Sequence, residues 1–291
     1  MIRSVGRTNG NGTMLFGAGS SNLAACCDAL RGILWLQNAG RQAATRARGD
    51  PQVRERVIGI LGGMGPEATI DLFAKIVKFT GAHTEQAHFR ILIDNNPKIP
   101  SRPLAIEGRG PSPLPALRRS ARLLAAAGAD FIVMPCVTAH YFYRPLARAS
   151  KVPIVDLVRE TASHVRVRFP RVTAVGLLAT TATVRVGLFQ KAFDGQEVQV
   201  LTPAAGVQQR FVMRALFSKK GIKAVGPSAW AKRLIVDAAH SLVARGAQVV
   251  IAGCTEVPLV LQDGDLSVPV VDPIAVLAHA AIGRARGTVP I

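Results

Sequence analysis

Two cysteines stand in matched settings in this chain. Cys136 follows Gly128-Ala-Asp-Phe-Ile-Val-Met-Pro, and Cys254 follows Gly246-Ala-Gln-Val-Val-Ile-Ala-Gly. In each copy a short β-favouring apolar run precedes the thiol, which predicts a buried parallel strand presenting a cysteine at its C-terminal end. Ligand chemistry collects at that end of open α/β sheets. Two like groups facing each other across a site suit a proton transfer that inverts a stereocentre. One thiolate removes the proton from one face, the opposite thiol returns one on the other, and the roles exchange with direction. Cysteine fits because its pKa responds to neighbouring N–H dipoles and positive charge. Thr138 and Thr255, just past each strand, supply such N–H groups, which can also hold a carboxylate. A hydrolase with a single nucleophile would want a dedicated histidine. His140 is the candidate, against a structural role for a helical histidine. A Cys136–Cys254 disulfide is the structural alternative.

The elements that would position the thiols also occur twice. Alanine-rich helical patterns (Leu123–Ala127 and Leu242–Ala244) precede both strands, and Val152-Pro-Ile-Val-Asp156 and Val268-Pro-Val-Val-Asp272 follow them. Arg56-Val-Ile-Gly-Ile-Leu-Gly-Gly-Met-Gly-Pro opens one copy, and Arg171-Val-Thr-Ala-Val-Gly-Leu-Leu-Ala-Thr-Thr opens the other. The Gly59–Cys136 and Gly176–Cys254 intervals agree to within one residue. The predicted fold class is therefore α/β, with two similar parallel-sheet domains about a pseudo-two-fold axis and the site in the cleft between them. The predicted division is a flexible N-terminal extension over 1–55, a first α/β domain over 56–158 completed by a C-terminal helix within 268–291, and a second over 159–267.

Composition narrows the function. The chain has 291 residues, 49% hydrophobic and 19% charged, which suits a folded globular protein. No apolar run reaches the length of about 18 residues that spans a bilayer, so no membrane role is expected. The net charge is +18, from 36 Lys and Arg against 18 Asp and Glu, but it is spread through the chain. A nucleic-acid binder concentrates such charge in a stripe, and 5% aromatic content is poor material for base stacking. The charge fits solvated faces and a field that draws in a small anion. Neither CxxC nor zinc spacing occurs, so no metal is expected. Leu23-Ala-Ala-Cys26 has the look of a lipoprotein box and residues 1–55 the flavour of a transit peptide, but Gly, Ser and Asn interrupt the segment. A cytoplasmic enzyme is the expectation.

Along the chain, Val57–Leu61 reads as a strand and Gly62-Gly-Met-Gly65 as its turn. Pro66 then opens a helix whose apolar face is expected to use Ile70, Phe73, Ile76 and Val77. The turn is not a dinucleotide fingerprint. Phe89–Ile93 reads as a strand, and Arg102 lies in the loop beyond it, either as a planar carboxylate fork or as a solvated loop arginine. Thr180-Thr-Ala-Thr183 forms a hydroxyl-rich turn. Residues 207–223 look helical and then break, leaving Lys219, Lys220 and Lys223 on or beside a loop.

Five motifs occur in order: Gly59–Thr69, Asn95-Asn-Pro-Lys-Ile-Pro-Ser-Arg102, Met134-Pro-Cys-Val-Thr-Ala-His140, Gly176–Thr183 and Ala252-Gly-Cys-Thr-Glu-Val-Pro258. Together they closely resemble the aspartate/glutamate racemase family, above all its aspartate racemase branch, over about 56–282. The resemblance implies a cofactor-independent two-base mechanism with Cys136 and Cys254 as the bases, an acidic amino-acid substrate, two α/β domains and frequent homodimers. It also implies that Arg102 and Lys223 bind the side-chain carboxylate and that Met64, Thr138 and Thr255 line the site, with Thr180, Thr183 and Glu256 brought in by the same motifs. Where the family reads Cys-Asn-Thr, this chain has Cys136-Val137-Thr138. Its asparagine positions substrate, so Val137 bears on activity or substrate choice. A relative that isomerises or decarboxylates another small carboxylate, and a small-anion binding protein of the same fold, are the competing readings.

Overall fold

The duplication is visible at the level of single contacts. In the computed structural model, which describes residues 54–290, strand β1 (Ile58–Gly62) runs parallel to β2 (Ile91–Asn95) and β3 (Phe131–Val133), in the order β2-β1-β3. Strands β4 (Ala174–Leu177), β5 (Gln199–Leu201), β6 (Val249–Ile251) and β7 (Val270–Val271) form a second parallel sheet, in the order β5-β4-β6-β7. Within each first strand a glycine is pressed against an alanine. A Cβ on Gly59 would lie 2.9 Å from Ala129 Cβ, and one on Gly176 would lie 3.1 Å from Ala247 Cβ. Those alanines follow Gly128 and Gly246, at φ 97° and 95°, where a side chain would be strained. The Gly-Ala pairs are thus the joints at which each preceding helix turns into its cysteine strand.

The two inner strands end alike as well. Ile132 N–H donates to Pro153 O and Val155 N–H to Ile132 O, just as Val250 N–H donates to Pro269 O and Ala252 N–H to Val271 O. The Val-Pro-Ile-Val-Asp segment at 152–156 contributes only a bridge between Ile132 and Ile154. Its Asp156 caps helix Leu157–Arg168, and Asp272 caps helix Pro273–Ala285 in the same way.

Six further helices cover the sheets: α1 (Pro66–Thr80), α2 (Arg102–Ile106), α3 (Leu114–Ala126), α4 (Tyr143–Ala147), α6 (Thr181–Val186) and α7 (Leu188–Ala192), with Leu157–Arg168 taken as α5. Residues 205–217, α8, are helical with a π-helical stretch at Gln208–Met213; α9 (Ile222–Val225), α10 (Ala229–Val243) and α11 (Pro273–Ala285) complete the set. Each repeat's closing helix reaches across. The α11 helix packs on α1 of the first sheet, and α5 packs on α7 of the second. Arg284 on α11 pairs with Glu160 on α5 at 2.6 Å, and Arg56, ahead of β1, donates its backbone N–H to Ala285 O.

The apolar face of α1 differs from the expectation. Ile76 is buried with Ala68 and Leu72, but Ile70, Phe73 and Val77 are exposed. Alternating contact with the β1 sheet and with α11 consumes the 68/72/76 side of the helix, and the 70/73/77 side is left over. Cys26, Cys27 and nearly all of the 1–55 extension lie outside the described residues.

Candidate active site

Cys254 leaves β6 through Gly253, where a Cβ would fall 2.4 Å from Leu177 Cδ1, so only glycine lets the chain turn there. The turn points three successive side chains inward: Cys254, Thr255 and Glu256 are 5%, 2% and 1% exposed. The Cys254 thiol donates to Glu256 Oε2 at 2.9 Å, and the Thr255 hydroxyl donates to the same oxygen at 3.4 Å. The other carboxylate oxygen, Oε1, pairs with the Lys223 ammonium from α9.

Electrostatics follow from that triad. Burial raises the Cys254 pKa well above the ordinary thiol value, and Glu256 raises it further, with Lys223 opposing. Burial would also raise the Glu256 pKa, but Lys223 and the donated thiol outweigh it and hold the carboxylate below its usual range. Lys223 is charged for the converse reason. Burial favours loss of its proton, yet Glu256, then Cys254, then Cys136 act on it and leave its pKa above that of a free lysine. One ammonium therefore lies within electrostatic reach of both thiols. Both are free, and both are buried.

Cys136 is set by a different device. Its carbonyl accepts a hydrogen bond from His140 Nδ1 at 2.9 Å, while His140 Nε2 accepts from Leu157 N–H at 3.1 Å. An imidazole that donates at one nitrogen and accepts at the other is neutral, and burial lowers its pKa to match. His140 thus ties the Cys136 turn to the start of α5; it faces backbone, not the thiol, which is the structural role. Val137, 2% exposed, joins the core with Phe131 and Val155.

The two halves meet through hydroxyls. Thr138 Oγ1 lies 2.9 Å from Thr183 Oγ1 and 3.3 Å from Thr180 Oγ1, and the latter two are 3.0 Å apart. Thr180 also caps α6 by accepting from Thr183 N–H. This triangle is the direct polar link between the Cys136 turn and the opening turn of the second repeat. Just outside it, a cleft of about 530 Å³ is lined by Glu107 and Arg109 from the first repeat and Thr181, Arg185, Gln209 and Met213 from the second. Arg109 is paired with Glu107 in this cleft, so Arg185 is the cation left there for an anionic visitor.

Of the remaining residues expected at a site, Met64 is buried. The turn beside it reaches the triad, since a Cβ on Gly65 would lie 3.5 Å from Glu256 Oε1. Arg102 opens α2 and donates through Nη1 to the carbonyls of Ile99 and Pro100 at 3.0 and 2.9 Å. Its Nε is buried with no acceptor among the described residues. Gln208 was not foreseen. From the π-helical stretch it donates to Ala179 O at 2.9 Å and supports Thr181, fixing the hydroxyl turn from behind. A π-helical turn leaves no mark in hydrophobic periodicity, so the sequence carried no signal for it. Among the described residues no group of three His, Cys, Asp or Glu could hold a metal ion, and no helix is long and apolar enough to cross a membrane.

Comparison with known proteins shows the family. The family profile described as Asp/Glu/Hydantoin racemase matches residues 61–281. The chain is 26% identical over 232 residues to the broad specificity amino-acid racemase RacX of Bacillus subtilis (strain 168), covering 78% of this chain and 96% of that protein. Among solved structures it is similar to Picrophilus torridus aspartate racemase, at 26% identity and TM-score 0.66 over 79% of this chain and 94% of that one. It is likewise similar to an aspartate racemase homologue from Pyrococcus horikoshii OT3, at 26% identity and TM-score 0.61 over 79% and 99%.

Proposed function

The chain belongs to the Asp/Glu/hydantoin racemase family as an amino-acid racemase, and from that premise we propose that it inverts an acidic amino acid, aspartate or glutamate, with Cys136 and Cys254 as its two bases. The observation that carries this reading is the pair of free, buried thiols at the ends of matched strands, with Lys223 paired to the carboxylate that accepts from Cys254. In one direction the Cys136 thiolate takes the proton from Cα. The electron pair left behind delocalises into the substrate carboxylate, and the Cys254 thiol delivers its proton to the opposite face. Cys136 ends as the thiol and Cys254 as the thiolate, so the reverse direction starts from the mirror state. Glu256 keeps Cys254 protonated until the carbanion develops, and Lys223 offsets the negative charge. The Thr138–Thr180–Thr183 triangle supplies hydroxyl donors for the α-carboxylate. The unpartnered Arg102 Nε–H is a donor for a side-chain carboxylate. No group beyond this chain's own side chains enters these steps. We read the enzyme as a cytoplasmic homodimer.

A second reading, broad specificity, is favoured by one observation: Lys223 is already neutralised by Glu256, and Val137 offers no polar contact. Solvent deuterium incorporation with chiral analysis separates the readings. Exchange and inversion confined to aspartate and glutamate, and lost in both Cys136→Ala and Cys254→Ala, support acidic specificity. Comparable exchange with neutral amino acids supports the second. A folded, reduced protein that exchanges no amino acid, or that survives loss of one thiol, would sink the two-base proposal.

A further inference from the structure

Three side chains from one turn of α8 converge on Thr181. Gln208 Nε2 donates to Ala179 O at 2.9 Å and to Thr181 Oγ1 at 3.3 Å, and Gln209 Nε2 donates to the same hydroxyl oxygen at 3.2 Å. Met213 Sδ accepts from Thr181 N–H at 3.3 Å. That N–H stands at the first position of α6, where no carbonyl of the helix itself can reach it. The convergence depends on the π-helical stretch Gln208–Met213. A π turn bonds residue i to i+5 and so brings 208 and 213 onto one face. At the 3.6 residues per turn of an α-helix they would stand about 140° apart. The stretch has a fixed base, because Val212, Ala215 and Leu216 are buried in the core of the second repeat. Gln208 is buried as well, and Ala179 O, which can only accept, fixes which way its amide faces. Its Oε1 is left buried with no donor among the described residues. That costs stability, so the side chain is held there by what its Nε2 does.

What the clamp grips is the turn that carries two hydroxyls of the site. Ala179 and Thr181 bracket Thr180, whose Oγ1 lies 3.0 Å from Thr183 Oγ1 and 3.3 Å from Thr138 Oγ1. In the reaction proposed above, negative charge gathers on the α-carboxylate as Cα loses its proton. Hydroxyl donors at that carboxylate therefore act on the transition state, and their aim sets the rate. A misplacement of about 1 Å in such groups can cost about a hundredfold.

We propose that Gln208, Gln209 and Met213 are positioning residues for racemisation: through Thr181, the π-helical stretch of α8 aims the Thr180 and Thr183 hydroxyls at the substrate's α-carboxylate. This rests on the racemase reading above, and the two can fail separately. The test is steady-state racemisation of the amino acid that wild type exchanges fastest. Gln209 is exposed, so Gln209→Met leaves the core untouched. It should lower kcat about threefold to tenfold, the worth of one neutral hydrogen bond, with a smaller change in KM and an unchanged Tm. Thr181→Val removes the oxygen that both amides share and should lower kcat further, whereas Thr181→Ser keeps that oxygen and should stay near wild type. The losses should not multiply: adding Gln209→Met to Thr181→Val should change kcat by less than about twofold. Arg210→Gln, on the same stretch but turned to Gly206 O, should leave kcat unchanged. Wild-type kcat in Gln209→Met, losses that multiply, or a loss in Tm alone would overturn the clamp and leave the two-base reading standing. A folded wild type that exchanges no amino acid would overturn both.

Discussion

Cys254 and Glu256 are two residues apart in the chain, and the thiol of the first donates to the carboxylate of the second at 2.9 Å inside a buried site. A carboxylate beside a thiol keeps the thiol protonated, which is the state a proton donor needs. Glu256→Gln removes that charge. The Cys254 thiol should then ionise at lower pH, seen as an alkylation-rate profile shifted toward acid in a Cys136→Ser background. Racemisation should fall by at least about a hundredfold, the lower end of what a positioned acid or base contributes. An unshifted profile would remove Glu256 from the acid's control.

The same carboxylate depends on Lys223. Breaking a buried pair by deleting one partner costs about 3–5 kcal/mol, because the other charge is left unpaired. Lys223→Met should lose stability of that order at pH 7 in urea unfolding, and Lys223→Met with Glu256→Gln should lose clearly less. The sign with pH follows from Glu256, whose folded pKa is lowered. The stabilisation it brings is present above the ordinary carboxylate value of 4.5 and is lost as pH falls through the folded value. Wild type should therefore weaken in acid more steeply than Glu256→Gln.

His140 predicts a second pH dependence at a milder acidity. Its folded pKa lies below the ordinary 6.5, first because of burial. Below 6.5 the unfolded chain binds a proton that the folded chain refuses, so stability falls as pH drops from about 6.5 toward the folded value. Denaturation midpoints measured at pH 7.5 and 5.5 should differ for wild type and differ less for His140→Gln. The substitution itself should cost about 1–3 kcal/mol, since Leu157 N–H or Cys136 O loses its partner.

The glycine joints can be tested by exchange. Gly59→Ala places a methyl 2.9 Å from Ala129 Cβ, with Phe131 O at 3.2 Å, and should destabilise by about 1–3 kcal/mol. Adding Ala129→Gly removes the nearest clash, and part of the loss should return in thermal unfolding. Gly176→Ala with Ala247→Gly should recover less, because Leu242 Cβ and Cδ1 close that site at the same 3.1 Å as Ala247 Cβ. Equal recovery in the two repeats would mean that Leu242 yields to the added methyl.

Much of the site was legible in the chain because it was written twice. Strand, Gly-Ala joint, thiol and capping aspartate recur at matched spacing, and local backbone rules suffice to read them. The motifs through Thr138, Thr180, Thr183, Cys254 and Glu256 named side chains that tertiary packing does bring into two contact groups, while Cys136 packs beside them in the apolar core of the first repeat. Three things were decided only by the tertiary structure. Whether the 68/72/76 or the 70/73/77 side of α1 would be buried depended on where α11 docks, since both sides are apolar and periodicity alone favours neither. Whether Arg102 would be a solvated loop residue depended on the carbonyls of Ile99 and Pro100, which its Nη1 caps as α2 begins. And the union of Lys223 with Glu256 and Cys254 joins residues more than thirty positions apart, a pairing that burial enforces because a charge taken from water must find its opposite. Sequence set which chemistry the strand ends could offer; long-range packing set which charges that chemistry would feel.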